Sequence, residues 1–535
     1  MKRRIFPIAL LIIISLLAVS CSKPEIEGGT EVHIEDEKPG KGGVINIGCI
    51  EPLTFNPLLV NSRSYGDLTK LLFNGLVEYN NALKPVLVLA DDISFAEGTG
   101  QAVVKLKENL HWSDGVRLTS EDVKFTLDTI KNSPDSIYKS KLNHIISYQM
   151  VNDVTIKINF GNWQYSAMDS LIFPIIPKHV FGTDPNATPV GTGPYKVSSY
   201  SKLKYMELKA NEYSMHNTTS YITTIRVNFI KDMDSFDTAF QSGQIDIINA
   251  SSYGWEKYKE LRNVNTYRYL SRDYEFIAVN FQNPVLAEVE IRKALMYGIN
   301  RKAIIEKYLL GNAAVTDTPI RSDSWMFDGD VNKYTYSKAE AQYAINNAKF
   351  LLNEKSNIYE REIDGKKQQL KLSFITNSEN DYRKKAAEDI KRSLEEIGFV
   401  IDLKIMPFEE VKKQMESKKF DLALVGMSFS PESDLYDFLH STKAVGGKNY
   451  GSYSNPRVDI LLEESQNFQS QENKYVNYLE LQRIIKDELP VISLFYKEYA
   501  LVMRSKVRGE IQADSENLFR TINNWYITES LRQDE

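Results

Sequence analysis

The 535-residue sequence carries only two cysteines, Cys21 and Cys49. A disulfide framework is therefore excluded, and an ordinary apolar core has to hold the chain together. Positive charge is also short. Lys and Arg number 65 against 71 Asp and Glu, a formal net charge of −6, with no long basic run. That balance excludes a nucleic-acid partner and a broad contact with anionic lipid. The six histidines (His33, His111, His144, His179, His216, His440) are scattered, and none stands in a His-Glu-x-x-His pair. No Gly-x-Ser-x-Gly elbow, no Gly-x-x-x-x-Gly-Lys-Ser/Thr loop and no paired metal-ligating cysteines occur. These absences disfavour a hydrolase, an NTPase or a zinc site, although scattered residues can converge in three dimensions. Asp328-Gly-Asp330-Val-Asn332 offers oxygen ligands without the rest of a calcium loop and reads as a solvated turn. No metal and no cofactor is expected.

One apolar run is present, at the N-terminus. Lys2, Arg3 and Arg4 precede the apolar stretch Ile5–Val19, which is too short and wrongly flanked for an ordinary membrane span. Ala18-Val19-Ser20-Cys21 follows and is similar to a bacterial lipobox, with Leu17 one place further from the cysteine than the common pattern puts it. The expectation is a lipoprotein signal peptide over 1–20, acylation of Cys21 and export from the cytoplasm; an uncleaved anchor helix is the alternative. Residues 21–41 are rich in Gly, Glu, Lys and Pro and read as a flexible tether. Loss of residues 1–20 removes three positive charges and no negative one, taking the net charge from −6 to −9. Cys49, in the apolar strand Val44–Ile50, is expected to be a buried core thiol.

The rest of the chain is too long for one hydrophobic core, so several domains are expected. Val103–Lys107 and Val154–Phe160 alternate like half-buried strands. Thr119 predicts the N-cap of a helix with Val123, Leu127 and Ile130 on its inner face. Ser337 to Glu340 reads as a capping box ahead of an apolar stripe through Ala341, Ala344, Ile345, Ala348, Leu351 and Leu352. Ala386–Ile397 predicts a helix stopped at Gly398, before a strand over Val400–Ile405. Alternating elements of this kind suggest an α/β domain with a partly parallel sheet. In Pro189-Val-Gly-Thr-Gly-Pro-Tyr-Lys-Val197, Gly191 and Gly193 are expected to take backbone angles closed to other residues.

That last segment, with others in a fixed order, resembles the family 5 extracellular solute-binding proteins, the oligopeptide- and dipeptide-binding lipoproteins of ABC importers. The other segments are Phe55-Asn-Pro-Leu58, Leu72–Val77, Trp112-Ser-Asp-Gly115, Leu118–Lys124, Ile176–Val180, Gly243-Gln-Ile-Asp246, Glu275–Asn280, Ile291–Leu295, Phe420-Asp-Leu422, Tyr453–Pro456 and Leu489-Pro490. The resemblance implies an α/β, two-lobed, periplasmic-binding-protein-like fold (class II, cluster C type) with an extra small domain. Lobe I would be 42–85 plus 188–278 plus 493–535, the small domain 86–187 and lobe II 281–490. Two strands would cross between the lobes near Phe276–Phe281 and Leu494–Tyr499.

The resemblance further implies a lipid-anchored, extracytoplasmic, monomeric receptor that is not an enzyme. It would close on a peptide or other small solute and hand it to ABC permease subunits. Strand edges that pair with the ligand's main chain would be Asn61, Ser62 and Arg63 in one lobe and Gly426, Met427 and Ser428 in the other. The sequence departs from the peptide-binding pattern here: Met427 stands where Trp is usual, and Ser430 where an Asp would meet the ligand's amino group. A hydroxyl cannot supply that charge-assisted bond. Asp434 or Glu432 is the expected substitute; otherwise the solute is a metal chelate or a sugar. A surface hydrolase or a signalling lipoprotein is the more distant alternative.

Overall fold

The computed structural model describes residues 39–60, 62–96, 99–160, 167–215, 220–252, 254–330, 334–355, 358–363, 365–466 and 470–528. The expected signal peptide and Cys21 lie outside them, as does Asn61. No described helix is long and apolar enough to cross a membrane.

One mixed sheet organises the fold. Its strands are β1 (Val44–Cys49), β2 to β5 being set aside for the smaller sheet below, then β6 (Tyr195–Ser201), β7 (Tyr205–Ala210), β8 (Thr224–Phe229), β9 (Ile247–Ala250), β10 (Val264–Val279), β11 (Lys371–Asn377), β12 (Val400–Met406), β13 (Leu422–Ser428) and β14 (Val491–Arg504). The spatial order is β12-β11-β13-β10-β14-β9-β1-β8-β7-β6, and an eleventh short strand, Ala313–Val315, pairs with β14 off this path. β10 and β14 are the long members, and each serves both halves of the molecule. The first part of β10, Val264–Leu270, pairs with Glu498–Arg504, and its last part, Tyr274–Ala278, pairs with Val491–Tyr496. The register shifts between Leu270 and Tyr274 and again between Glu275 and Phe276. Strand irregularities bend and twist a ladder, so the sheet turns at these shifts.

Beyond the break the sheet is covered on both faces. Leu372, Phe374, Leu422 and Leu424 belong to one apolar cluster, and Ile375, Ala423 and Val425 to the opposite one. Two-sided burial is the condition under which parallel strands such as β11 and β12 occur. In the first half, Ile45 and Ile47 of β1 share a continuous core with Trp112, Val123 and Ile156 from the 86–187 segment. That segment holds a separate antiparallel sheet of β2 (Ala90–Ala96), β3 (Gln101–Leu106), β5 (Thr155–Asn159) and β4 (Ser147–Asn152), in that spatial order. Cys49 is fully buried, and burial pushes its thiol up to about 12.

The helices that matter below are α1 (Arg63–Leu72), α2 (Ser120–Asn132), α3 (Ser235–Gln241), α4 (Lys338–Asn347), α5 (Asp381–Glu395) and α6 (Gln471–Glu488). Thr119 and Asp122 close α2 with a full capping box, and Val123, Leu127 and Ile130 are buried as their spacing predicts. α5 begins earlier than Ala386, because the Asn380 side chain accepts the Arg383 amide and caps it there. Two expectations fail. The stripe beyond Ala348 is not helical: α4 ends at Asn347, Lys349 takes a positive φ, and Leu351 (72% exposed) and Leu352 (46%) sit in a short strand. In the expected solvated turn Gly329 and Asp330 are exposed and Val331 and Asn332 lie outside the described residues, but Asp328 is buried and its carboxylate meets Arg483 at 3.3 Å.

The Gly191/Gly193 motif also works differently from its sequence reading. Neither glycine has a positive φ. They are needed because the loop lies against the C-terminal end of α1. The Gly193 amide donates to the Leu72 carbonyl (2.9 Å), satisfying an acceptor that the helix leaves open. A Cβ on Gly191 would stand 1.9 Å from the Leu72 oxygen, and one on Gly193 2.4 Å from the Leu71 oxygen. Backbone atoms cannot step aside, so Gly191→Ala is expected to destabilise the protein by about 3 kcal/mol, read as a lower denaturant midpoint. A midpoint equal to that of the wild type would reject the close-approach explanation.

Candidate functional site

A cleft of ≈ 620 Å³ opens where the register breaks. α1 lines it with Arg63, Asp67 and Lys70, positions that recur on one helical face. β10 contributes Tyr269, Ser271, Arg272 and Asp273, β13 contributes Ser428 and β14 contributes Tyr499. Tyr79, Glu78, Lys141 and Glu516 add to the polar lining. Four of the charged groups are cationic (Arg63, Lys70, Lys141, Arg272) and four anionic (Asp67, Glu78, Asp273, Glu516). The cleft is thus ionic and close to neutral, which suits a zwitterion better than an ion of one sign.

The local fields differ. Burial pushes the Asp67 carboxyl up to about 6, against the pull of Arg63 and a hydrogen bond from Asn249. Burial works against the Lys70 ammonium too, but Glu78, Tyr138 and Glu516 outweigh it, and its pKa is raised. Arg63 lies over the Tyr499 ring, 5.2 Å from its centroid. Asp273 accepts hydrogen bonds from the Ser428 hydroxyl and from the Tyr499 hydroxyl (2.7 Å).

The residues singled out in the sequence are placed as follows. Ser62 and Arg63 line the cleft, with Ser62 in extended backbone and Arg63 the first residue of α1. Ser428 lines it at the end of β13. On one side Gly426, Met427 and Ser428 pair with Glu275, Tyr274 and Asp273 of β10. On the other side β11 reaches only as far as Leu424, so the last four residues of β13, Val425–Ser428, have no strand partner there among the described residues. Gly426 backs onto a buried ion cluster: Arg383 meets both Glu275 carboxylate oxygens at 2.8 Å, and Lys497 lies 3.0 Å away. A Cβ at Gly426 would be 2.2 Å from the guanidinium. Met427 packs at the margin of the apolar cluster around Tyr274. Ser430 and Asp434 do not line the cleft. The Asp434 carboxylate accepts from the Tyr436 amide (2.9 Å) and from Gln466 (3.1 Å).

Glu432, the other expected substitute, is committed to a seam between the halves. It accepts from Tyr79 (3.1 Å) and Lys141 (3.2 Å). Tyr79 also reaches Asp169 (2.8 Å), which pairs with Lys474 of α6 at 3.1 Å and is buried with it. Arg63 was expected on a strand edge and instead begins α1, whose same face presents Asp67 and Lys70. Asp273, Glu516 and the Asp169–Lys474 pair carry no sequence signal, since only the fold brings them together. Among the described residues no group of three or more His, Cys, Asp or Glu is placed to hold a metal ion.

Two outcomes follow from these ion clusters. Burial resists ionisation of Glu275, but Arg383 and Lys497 hold its carboxyl down at about 2, below its ordinary 4.5. Its stabilising share is therefore complete above 4.5 and lost as pH falls toward 2. Glu275→Gln is expected to cost about 3 kcal/mol at pH 7 and to flatten the fall in thermal midpoint across that acid range; an unchanged slope rejects the assignment. Lys474→Met removes the cation facing buried Asp169. The lobes are expected to separate more readily, giving a larger radius of gyration by small-angle scattering, and an unchanged radius rejects the seam's role.

Residues 84–449 match the family described as bacterial extracellular solute-binding proteins, family 5 Middle. The chain is 26% identical over 555 aligned residues to the oligopeptide-binding protein AppA of Bacillus subtilis (strain 168), with 98% of this chain and 100% of the relative covered. The solved structure of AppA from Bacillus subtilis in complex with a nonapeptide superimposes with a TM-score of 0.60 at 25% identity, covering 92% of this chain and 100% of that one. NikZ from Campylobacter jejuni in complex with Ni(L-His) has the same fold, with a TM-score of 0.63 at 24% identity over 90% of this chain and 99% of its own.

Proposed function

The chain belongs to the bacterial extracellular solute-binding proteins of family 5, and from that premise we propose that it captures peptides in the interlobe cleft and delivers them to the permease of an ABC transporter. The observation that carries this reading is the free edge of Gly426–Ser428, which ends in a cleft of balanced charge. An extended peptide can add to such an edge as a strand, so that main-chain bonds give affinity irrespective of side chains. Its termini are opposite charges, and the cleft offers both signs. The similarity to AppA supports the same class of ligand.

Asp273 takes the place of the missing amino-binding Asp in this reading. It stands opposite Ser428 in the ladder and lines the cleft, its carboxylate held by Ser428 and Tyr499, whereas Asp434 and Glu432 do not line it. Ser62, Arg63 and Ser428 contact the ligand beside it, and Gly426 and Met427 hold the edge in place. Binding draws the lobes together because the ligand touches both, and only its extra affinity for the closed form moves that equilibrium. Cys21 carries the lipid that keeps the monomeric receptor at the outer face of the membrane. A metal chelate or a sugar is the second reading: position 430 supplies no carboxylate for an amino group, and Ser430 does not line the cleft.

The first test is mass spectrometry of what the purified protein releases on denaturation. A ladder of peptides is expected; a single non-peptide mass turns the assignment to the second reading. The second is calorimetry on Asp273→Asn. Peptides with a free amino terminus are expected to lose about 2 kcal/mol, roughly 30-fold in Kd, while N-acetylated ones change little. An equal loss for both rejects Asp273 as the amine's partner.

A further inference from the structure

Arg321 does not line the cleft, is 2% exposed, and belongs to no helix or strand. Its guanidinium meets the Asp323 carboxylate as a two-pronged fork, at 2.9 Å through Nε and 2.5 Å through Nη2. Nη2 also donates to the Leu270 carbonyl (2.8 Å), and Nη1 donates to the Ser515 hydroxyl (2.6 Å). These bonds join the two halves of the molecule. Ile320 and Met326 share an apolar cluster with Ile375 and Ala423, whereas Leu518 and Phe519, just after Ser515, share the core of Ile45 and Ile47. Both partners lead to the cleft. Leu270 pairs with Glu498 just before the register shifts, and Ser271, Arg272 and Asp273 follow it along the cleft. The Phe429 amide donates to the Arg272 carbonyl (3.1 Å), so the carbonyls on both sides of Ser271 are held. On the second path the Ser515 hydroxyl donates to the Glu516 carboxylate (3.0 Å), which stands 3.7 Å from Arg272. The contacts thereby close a ring through Leu270, Arg321, Ser515, Glu516 and Arg272.

We propose that Arg321 is a positioning residue for ligand recognition: it does not touch the ligand, yet it fixes the geometry in which Asp273 meets the ligand's amino group. An irregular stretch lacks the ladder bonds that hold a regular strand, so its carbonyls need other donors. Arg321 supplies one from a cation whose charge Asp323 already balances, and such charge-assisted bonds are the stronger kind. The ring needs arginine. A planar guanidinium can grip a carboxylate along one edge and still reach two separate acceptors, whereas a lysine ammonium is a point charge on a flexible stem. A recognition site is only as exact as the residues that support it, and here the support joins both halves of the molecule. A change in the spacing of the halves therefore reaches Asp273 and Glu516 together. The inference rests on the reading of Asp273 as the amine's partner and adds to it the group that holds Asp273 in place.

The test uses the purified protein, two variants (Arg321→Lys and the milder Asp323→Asn), and peptides paired with their N-acetylated forms. In Arg321→Lys, calorimetry is expected to show the preference for the free amine shrinking roughly 10-fold, with Asp273 intact and the N-acetylated peptides little changed. Asp323→Asn is expected to show a smaller loss of the same sign, and it decides the matter if Arg321→Lys does not fold. A loss shared equally by both forms marks a merely structural role and overturns the proposal, as does a preference equal to that of the wild type. Hydrogen exchange of the ligand-free protein gives a second readout. The amides of Asp273, Phe429 and Glu516, which donate to Ser271, Arg272 and Asp514, are expected to exchange faster in the variants, while those of β1 and β8 keep their wild-type rates. A rise spread evenly over the chain, or no rise at all, overturns the ring. If wild type binds no peptide, or binds both forms alike, the reading of the cleft fails, and exchange alone decides whether Arg321 holds this wall in place.

Discussion

The antiparallel pairing of β10 with β14 is the constraint on which the other features depend. These two strands form the continuous spine of the sheet, and both lobes are built out from them. The spine changes register between Leu270 and Tyr274, and everything chemical in the cleft clusters there. Ser271, Arg272 and Asp273 occupy the irregular stretch itself, free of the strict alternation that a regular ladder imposes. A perfect ladder would have sent every other residue to the opposite face. The irregularity instead places three consecutive residues at one cavity.

Two ion clusters flank this spine and differ in kind. Glu275, Arg383 and Lys497 join β10, α5 and β14, with Glu275 buried and gripped at both oxygens. Such a cluster fixes geometry more than it adds stability, because desolvation offsets much of the attraction. Here it supports the backbone at Gly426, so that the strand edge is held by charge and not by a side chain of its own. Tyr79, Asp169, Glu432, Lys141 and Lys474 join one half of the molecule to the other. Their partners move when the lobes move, so this cluster acts on the equilibrium between conformations.

Much of the fold was legible because periodicity and capping are local. Thr119 announces α2, Gly398 ends the helix before β12, and Cys49 sits in the core as its neighbours foretell. Local signals failed where a competing local preference won. Apolar spacing carried the α4 pattern to Leu352, yet the chain left the helix after Asn347 and turned through a positive φ at Lys349. The glycine motif at 191–193 was recognisable as a sequence, but its physical cause was tertiary, the approach of a loop to α1. The candidate site was legible only in part for the same reason. Arg63 and Ser428 could be placed by resemblance, whereas Asp273 and Glu516 become neighbours of the cleft only after a distant strand pairing and the return of the C-terminal segment.

The make-up of the seam sets how the lobes respond to temperature. Parting them uncovers carboxylates, ammonium groups and a phenol at Tyr79. Exposing polar surface lowers heat capacity, whereas exposing apolar surface raises it, and these contributions oppose each other. A greasy seam would give an opening equilibrium that bends sharply on warming. This one gives a response with little curvature, whose slope on warming is set by the enthalpy of parting the ion pairs.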